Sequence, residues 1–392
     1  MTPLSRRSLL TSLVLLTSLA ARVPAHAAPG CVSSEPYVSG QGGYHTYRIP
    51  AVVITRHGTV LAFAEGRRAG PGDSGDIDVV LRRSTDGGCT WGPLAVVAAG
   101  HGDTRGNPAP VVDPRTGAVV LVTCGNSGAV TEAQIMRGQV APGQGRRVFV
   151  QRSWDDGRRF SPPAEITAEV KRPGWRWYAT GPGHAVALTR GPHAGRILVP
   201  ADHSTAPPAH SSDTGEEPGY YAGHVLYSDD FGDTWHLGLV AAAPGGTTDV
   251  NETTAAQLPD GRIYFNARTQ YSATSGHRLD TYSSDGGITL DRPYAPQRSL
   301  DDVPVVQGSV VQLRGPNAPL LFSAPSVPTA RRALAIWASR DFGRTFTRLL
   351  TLSEGPAAYS DLVRLGPTTV GVLYETGTGS SSDMLVFRRL GR

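Results

Sequence analysis

The chain has 392 residues and a formal net charge of +4, with 47 glycines and 31 prolines spread along its length. Three arginines and no acidic residue lie in residues 1–27, so residues 28–392 carry a net charge of only +1. This balance gives no support for nucleic-acid binding, and no long amphipathic helical pattern is present. The three cysteines form no visible disulfide framework, although two of them could pair after export.

The first 27 residues are typical of an export signal. Arg6 and Arg7 precede an apolar run over residues 8–20, and Ala25-His26-Ala27 has the small-x-small form of a cleavage site. The Ser-Arg-Arg-Ser-Leu-Leu sequence around the two arginines favours a twin-arginine signal over an ordinary Sec signal. The apolar run is too short to cross a bilayer, and no other segment reaches spanning length. We therefore expect a secreted protein without a membrane span.

A pattern of the form Ser-x-Asp-x-Gly-x-x-aromatic or aliphatic recurs five times after this leader. Its copies, called the Ser-Asp-Gly boxes below, span residues 84–91, 153–160, 228–235, 283–290 and 339–346. In each box the Asp carboxylate can accept hydrogen bonds from the amides that follow it, and the Gly can supply a positive φ. Each box is therefore predicted to be a hairpin turn whose last side chain returns to the core.

Short β-rich runs precede most boxes and recur between them, often next to a turn signal such as Asp260-Gly261. The runs include residues 52–54, 60–63, 77–81, 119–122, 148–150, 196–199, 224–227, 262–265, 320–322, 335–337 and 370–374. A unit repeated about every 60 residues predicts an all-β protein, a six-bladed β-propeller of four-stranded antiparallel blades over residues 28–392. The stretch from Thr205 to Pro218 is predicted to be a long loop between strands.

The motifs ahead of the first box resemble a known family. The first strand carries Tyr47-Arg48-Ile49-Pro50, and Ala62-Phe63-Ala64-Glu65-Gly66-Arg67 follows it. Together with the five boxes, these motifs resemble the exo-sialidase (neuraminidase) family of bacteria and animals over nearly the whole of residues 28–392. The resemblance implies a six-bladed propeller that hydrolyses terminal α-linked sialic acid from glycans, glycoproteins or glycolipids. It implies no cofactor, and we expect no metal, no nucleic acid and a monomer.

The substrate explains why arginines are prominent in this family. Sialic acid carries a carboxylate on its anomeric carbon, and a guanidinium group offers paired donors to a carboxylate. By similarity, the three arginines that bind it are Arg48, Arg268 and Arg331. Arg332 is adjacent, and only the spacing to the last box favours Arg331 over it. Glu375 matches the acid that pairs with Arg48 and orients it.

The same substrate carboxylate repels a carboxylate nucleophile, and sialidases are the known exception among glycosidases that use a tyrosine. The family motif assigns that role to Tyr359, and it assigns to Glu252 the base that removes the phenol proton. Asp73 occupies the family position of the general acid, with Asp76 as its nearest rival. Arg67 resembles the arginine that meets the 4-hydroxyl region of the sugar.

Three further groups of residues are less decided. Asn107 lies in an Asn-Pro-Ala-Pro sequence that resembles a substrate-pocket loop, where it would meet the N-acyl group. The aromatic residues at positions 175, 177 and 178 could form a pocket wall, although such a triplet is more typical of a core. The spacing of Asp202, His203 and His210 matches no recognised zinc site. We therefore predict that their segment is a polar loop without a metal.

Other functions fit parts of the same residue set. A non-catalytic sialic-acid-binding propeller needs the arginines but not the acid, base and nucleophile; all of these are present, which favours an enzyme. A glycosidase for a related 2-keto-3-deoxy sugar acid would use the same three arginines, because the carboxylate is shared. Transfer of the sugar to an acceptor also remains open, as does the linkage preference.

Overall fold

The computed structural model describes residues 31–241, 248–272 and 276–391, and the predicted export signal lies outside them. The chain is almost entirely β-structure. None of the helices in this part of the chain is long and apolar enough to cross a bilayer. The elements in chain order are β1 (Ser33–Val38), β2 (Thr46–Ile54), β3 (Val60–Arg67), β4 (Ile77–Ser84), β5 (Ala95–Ala98), β6 (Thr104–Val112), β7 (Val119–Asn126), α1 (Glu132–Met136), β8 (Arg147–Ser153), β9 (Ala164–Glu165), α2 (Thr167–Val170), β10 (Trp175–Thr180), β11 (Val186–Ala187), β12 (Ile197–Thr205), β13 (Tyr221–Ser228), β14 (His236–Val240), β15 (Thr248–Gln257), β16 (Ile263–Ser272), β17 (Arg278–Ser283), β18 (Ala295–Pro296), a 3₁₀ turn (Arg298–Leu300), β19 (Ser309–Gln312), β20 (Leu320–Val327), β21 (Ala330–Ser339), β22 (Thr347–Thr351), β23 (Ala357–Arg364), β24 (Val370–Thr376) and β25 (Met384–Leu390).

The described strands form an all-β propeller of consecutive antiparallel sheets. Three sheets consist of β15 to β18, of β19 to β22, and of β10, β12, β13 and β14 with β11 beside β12. An eight-stranded sheet contains two halves, β2 to β5 and β6 to β9, which a single parallel pair joins at Ile77 and Thr104. The loop after Thr205 connects β12 to its partner β13, in agreement with its prediction as an inter-strand loop.

Both ends of the described chain meet in the last sheet. Strand β1 pairs antiparallel with β25, with Ser33 opposite Arg388, and the sheet continues through β24 to β23. A disulfide between Cys31 and Cys89 ties the start of β1 to the first box. Cys124 is buried and free. The last sheet therefore closes the ring by pairing the two ends of the described chain. The structure also decides which cysteines pair, namely Cys31 and Cys89.

The five Ser-Asp-Gly boxes adopt one hydrogen-bonded turn, as predicted, between the third and fourth strands of their units. In each box the Ser hydroxyl donates to the Asp carboxylate at 2.7 to 3.0 Å and accepts from the Gly amide at 2.8 to 3.0 Å. The carboxylate also accepts from the amide four residues further on, at 2.8 to 3.0 Å. The box glycines have φ between 76° and 92°. These local bonds hold the outer rim of the propeller.

Replacing the glycine of the first box with alanine should destabilise the protein. Gly88 has φ of 92°, and an added Cβ would lie 2.1 Å from the ring of Phe387, which is fully buried. Backbone strain and overpacking each cost about 1–3 kcal/mol, so we expect Gly88→Ala to lose about 2–4 kcal/mol in urea denaturation. Gly58→Ala is the matched control, because Gly58 has φ of 82° but open space around it. Equal losses in the two variants would contradict the proposed clash.

Candidate active site

The inner ends of the sheets place polar side chains around one cavity of about 280 Å³. These side chains come from strands and loops that are far apart in the chain, so their proximity depends on ring closure. Eight of the nine residues predicted from the sequence line it: Arg48, Arg67, Asp73, Asn107, Glu252, Arg268, Arg331 and Tyr359. The ninth, Glu375, lies directly behind Arg48.

Glu375 fixes the position of Arg48. The Nε and Nη2 atoms of Arg48 donate to the two oxygens of Glu375, both at 3.1 Å. The same carboxylate accepts from the backbone amides of Ile49 at 2.9 Å and Tyr359 at 3.2 Å, and it is fully buried. Ile49 has a positive φ of 57°, at the irregularity in the β2–β3 pairing. One buried acid thus orients the arginine and anchors the strand that carries the tyrosine.

The Tyr359 hydroxyl donates a 2.5 Å hydrogen bond to the Oε1 atom of Glu252. The other oxygen of Glu252 accepts from Arg268 at 2.8 Å, and Arg268 also lies 3.3 Å from the Tyr359 hydroxyl oxygen. Both members of the tyrosine–glutamate pair are buried. The proton of the phenol therefore already points at a carboxylate that could accept it.

Cations surround the ring of Tyr359. The guanidinium carbons of Arg48 and Arg331 lie 5.0 Å and 5.7 Å from the ring centroid. Burial raises the pKa of the Tyr359 hydroxyl, and the Glu252 charge raises it further, whereas the three arginines around it lower it. The balance keeps the phenol neutral at neutral pH in the unliganded site. Transfer of its proton to Glu252 would leave a phenolate that the arginines stabilise.

The structure separates Arg331 from Arg332. The Nε and Nη2 atoms of Arg331 donate to the Val305 carbonyl at 3.2 and 3.0 Å, and its side chain lines the cavity. Arg332 instead donates to the Glu354 carbonyl at 3.1 Å and is not among the lining residues. Neighbouring residues on a strand point to opposite faces, which explains the difference.

Asp73 lies at the mouth of the cavity on the loop between β3 and β4. Its carboxylate is 2.7 Å from Nη2 of Arg67 and 3.7 Å from Nη1 of Arg48, and 67% of its side chain is exposed. Its desolvation favours the neutral form, but Arg67 and Arg48 outweigh it and hold the pKa of Asp73 below its ordinary value. An accessible carboxyl at the cavity mouth has the position that a general acid needs.

The rival acid points elsewhere. Asp76 forms an ion pair with Arg68 at 3.3 Å and accepts from the Gly102 amide at 3.1 Å, away from the cavity. Asp78 is buried and binds Arg68 and Tyr44, both at 2.6 Å. Among these three acids of the loop and strand, only Asp73 lines the cavity.

Asn107 lies on the cavity side of β6, where its φ of 52° accompanies an irregularity in the strand pairing. Its backbone amide donates to Glu65 at 2.8 Å, and its side-chain oxygen accepts from Arg146. Arg67 also binds Glu65, at 2.7 Å. Asn107 and Arg67 are therefore held by one buried acid that the sequence analysis did not single out.

Known proteins resemble this chain over most of its length. A model of the BNR repeat-like domain matches residues 58–372. A sialidase of Micromonospora viridifaciens is 34% identical over 378 residues, which cover 92% of this chain and 54% of that protein. The exo-alpha-sialidase of Aspergillus fumigatus is 30% identical over 378 residues, covering 88% of this chain and 84% of that protein. The chain belongs to the sialidase family.

Solved structures of sialidases share the fold. A Hadza microbial sialidase has a TM-score of 0.77 and 26% identity over 92% of this chain and 68% of that one. An intramolecular trans-sialidase from Ruminococcus gnavus has a TM-score of 0.74 over 91% of this chain and 97% of that one, at 18% identity, which shows the fold alone. This sialidase chain spans about half, 54%, of the Micromonospora relative.

The sialidase site also contains residues that sequence reasoning missed. Glu132 and Arg146 line the cavity, and the Tyr221 hydroxyl donates to Glu132 at 2.5 Å. Glu132 is the first residue of the short helix α1. The one sequence signal near it is the capping box of that helix, formed by Thr131 and Gln134. Such a signal marks a helix start but not a pocket, so it does not identify a site residue.

Two predictions about neighbouring residues need correction. Asp202 and His203 lie in the buried strand β12, not in a polar loop; only His210 lies in the loop that follows. The strand lies between β10 and β13, and the ring of His203 stacks on Trp175 at 3.6 Å. Trp177 differs from the other aromatic residues of its segment, since it lines the cavity under Arg146. The described residues contain no group of three or more potential metal ligands.

Replacing Arg331 with glutamine should lower kcat/KM for an aryl sialoside about tenfold to a hundredfold, because one charge-assisted contact to the substrate carboxylate is lost. Arg332→Gln is a matched control on the same strand, and we expect it to leave kcat/KM unchanged. Steady-state kinetics of both purified variants tests the assignment. A larger loss in Arg332→Gln would reverse it.

Asp202 should make stability depend on pH. Its carboxyl is fully buried, and neither oxygen has a hydrogen-bond partner among the described residues. Burial raises its pKa well above the ordinary value, and Glu252 and Glu132 add to this, against Arg146 and Arg268. The folded protein therefore holds a proton that the unfolded chain releases, so this carboxyl reduces stability increasingly as the pH rises above the ordinary Asp pKa.

Asp202→Asn removes this dependence. We expect the variant to exceed the wild type in Tm by about 2–4 °C at about pH 7. The difference should shrink towards pH 4, where the folded carboxyl is protonated and about half of the unfolded carboxyls are protonated too. Thermal unfolding followed by circular dichroism at the two pH values tests this. A difference that does not change with pH would show that Asp202 is ionised in the folded protein.

Proposed function

We propose that this protein is a retaining exo-α-sialidase that hydrolyses terminal α-linked sialic acid through a tyrosyl-enzyme intermediate. The observation that carries the proposal is the 2.5 Å hydrogen bond between the Tyr359 hydroxyl and Glu252 inside a ring of arginines. A binding protein needs cations for the substrate carboxylate, but it does not need a neutral phenol bonded to a base. The names of the relatives, sialidase and exo-alpha-sialidase, support the same reaction.

In the proposed mechanism Arg48, Arg268 and Arg331 hold the substrate carboxylate. Glu252 takes the proton of Tyr359 as its oxygen attacks the anomeric carbon, and Asp73 gives a proton to the departing glycosidic oxygen. Water then attacks the anomeric carbon of the tyrosyl-linked sugar and passes a proton to Asp73, while the bond to Tyr359 breaks and the departing Tyr359 oxygen takes its proton back from Glu252. Two displacements at one carbon return the original anomeric configuration.

Binding of the substrate prepares Asp73 for this role. In the empty site Arg67 and Arg48 depress the pKa of Asp73, which disfavours the protonated form that an acid must supply. The substrate carboxylate places a negative charge beside Arg48 and so offsets part of this attraction. The acid is thus charged in the free enzyme and gains its proton more readily in the complex.

We further propose that the fold is a six-bladed propeller and that residues 1–27 direct export. Six units are obtained when the eight-stranded sheet is divided at its single parallel pair, which leaves two four-stranded halves. The proposed natural substrates are sialylated glycans, glycoproteins or glycolipids outside the cell. The Cys31–Cys89 disulfide fits an exported protein, since such bonds persist in oxidising compartments.

Proton NMR of the reaction on 4-methylumbelliferyl N-acetylneuraminic acid tests the function. We expect rapid release of the fluorophore and the α-anomer of free sialic acid as the first sugar product. First appearance of the β-anomer would overturn the retaining mechanism. Binding of sialic acid without turnover would favour a binding protein, and an anhydro sugar product would show intramolecular transfer instead of hydrolysis.

A further inference from the structure

A second cavity, called the rear cavity below, lies at the opposite end of the inner strands. Its volume is about 350 Å³, within the range of small-molecule sites. The strand β23 runs from Tyr359 in the candidate active site to Arg364 at the rear cavity, a span of roughly 17 Å at the usual rise of a strand. The two cavities are therefore separate sites on the same strands.

The walls of the rear cavity combine apolar and polar groups. Apolar side chains come from the inner strands of all the sheets, and half-buried members among them are Ile54, Val112, Ala187 and Leu313. Half-buried apolar side chains around a hollow gain stability when a ligand removes their remaining surface from water. The walls thus favour a ligand with a hydrocarbon part.

Arginines are the permanently charged groups among the described residues of the rear cavity. Its lining includes Arg190, Arg314 and Arg364 but no aspartate or glutamate among the described residues. Arg190 and Arg364 donate to the carbonyls of Pro259 and Gln312, which carry no net charge. Burial lowers the pKa of Arg364, and the neighbouring Arg314 lowers it further, as two like charges in proximity require. This cluster lacks the counter-charge that the active-site arginines have.

The buried acid on the strand that carries Arg364 does not supply that counter-charge. Asp361 binds the His184 ring at 2.7 Å and the Ser309 hydroxyl at 2.7 Å. It also accepts from the backbone amides of Val52 at 2.8 Å and of His184 at 3.0 Å. Its oxygens are thus occupied in joining the inner strands.

We propose that the rear cavity binds a small amphipathic carboxylic acid, with its hydrocarbon part against the apolar walls and its carboxylate at Arg314 and Arg364. Guanidinium groups bind carboxylates through paired, charge-assisted hydrogen bonds, and apolar walls exclude the smaller, fully hydrated anions. The site does not depend on the proposed sialidase activity, because it shares no side chain with the candidate active site.

Isothermal titration of the purified protein with sodium octanoate tests the proposal. We expect saturable binding of one octanoate, and at least tenfold weaker binding of acetate, which lacks the hydrocarbon part, and of 1-octanol, which lacks the charge. The double variant Arg314→Gln, Arg364→Gln should weaken octanoate binding at least tenfold. Arg158→Gln, at an exposed box position, is the matched charge control and should bind as the wild type does.

A variant that fills the rear cavity tests whether octanoate binds there or elsewhere on the protein. Ala187→Phe keeps every arginine but occupies the cavity, and it should abolish octanoate binding while hydrolysis of an aryl sialoside stays unchanged. Equal binding of octanol and octanoate would reduce the cavity to an apolar hollow and overturn the proposal. Displacement of octanoate by sialic acid, or binding retained in both variants, would place it elsewhere and also overturn it.

Discussion

Replacing Tyr359 with phenylalanine should lower kcat for 4-methylumbelliferyl N-acetylneuraminic acid by at least about a thousandfold. Loss of acid–base assistance alone costs about 10²–10⁴ in rate, and loss of a nucleophile costs more when no other group replaces it. The substitution removes one oxygen and leaves the ring between Arg48 and Arg331. Binding of the substrate carboxylate should therefore survive, so the loss should appear in kcat more than in KM.

Tyr178→Phe is the matched control for this experiment. Tyr178 is fully buried, and its hydroxyl has no hydrogen-bond partner among the described residues. Removing that oxygen should cost neither stability nor activity. Stopped and continuous fluorescence assays on both variants, with sialic acid binding measured by calorimetry, give the comparison. A decrease of less than about tenfold in Tyr359→Phe would reject tyrosine as the nucleophile.

Replacing Asp73 with asparagine should affect substrates according to their leaving groups. The leaving group of sialyl-lactose is lactose, which would depart as a basic alkoxide and therefore needs a proton. The kcat for sialyl-lactose should fall about 10²–10⁴-fold. The leaving group of the aryl sialoside is a stable phenolate, so kcat for this substrate should fall far less. Asp76→Asn is the control on the same loop, since Asp76 pairs with Arg68 and lies outside the cavity. Equal losses on both substrates in Asp73→Asn would contradict the acid role.

The pH profiles give a second test of Asp73. Arg67 and Arg48 depress its pKa in the free enzyme, and the substrate carboxylate offsets part of this in the complex. Because kcat/KM reports the free enzyme and kcat reports the complex, activity should fall with rising pH at a higher pH in kcat than in kcat/KM. The descending limb should be lost in Asp73→Asn. Coincident limbs would show that the substrate does not raise the pKa of the acid.

Local chemistry is what made much of this protein predictable. The Ser-Asp-Gly boxes satisfy their own hydrogen bonds within eight residues, so their turn geometry follows from the sequence without reference to the rest of the fold. The strands before and between them are short runs of β-forming residues beside turn signals, which a sequence displays directly. The residues proposed for the chemistry were found because family motifs mark them, not because their spacing in the chain implies contact.

Relations between distant residues required the tertiary structure. Arg331 and Arg332 are chemically identical neighbours, and only the pairing of β21 decides which of them faces Tyr359. Asp73 and Asp76 differ in the same way, through the loop that carries them. The disulfide partner of Cys31 is 58 residues away, a distance along the chain that says nothing about proximity.

By itself, the sequence of this chain determined the repeat, its turns, the family and a list of candidate residues. Only the tertiary structure decided which of them share a cavity, that Glu65 holds Arg67 and Asn107, and that Asp202 is buried without a hydrogen-bond partner among the described residues. The physical reason is the closure of the ring. Hydrogen bonds in a box act over a few residues. The candidate active site and the rear cavity arise instead where strands that are far apart in the chain converge.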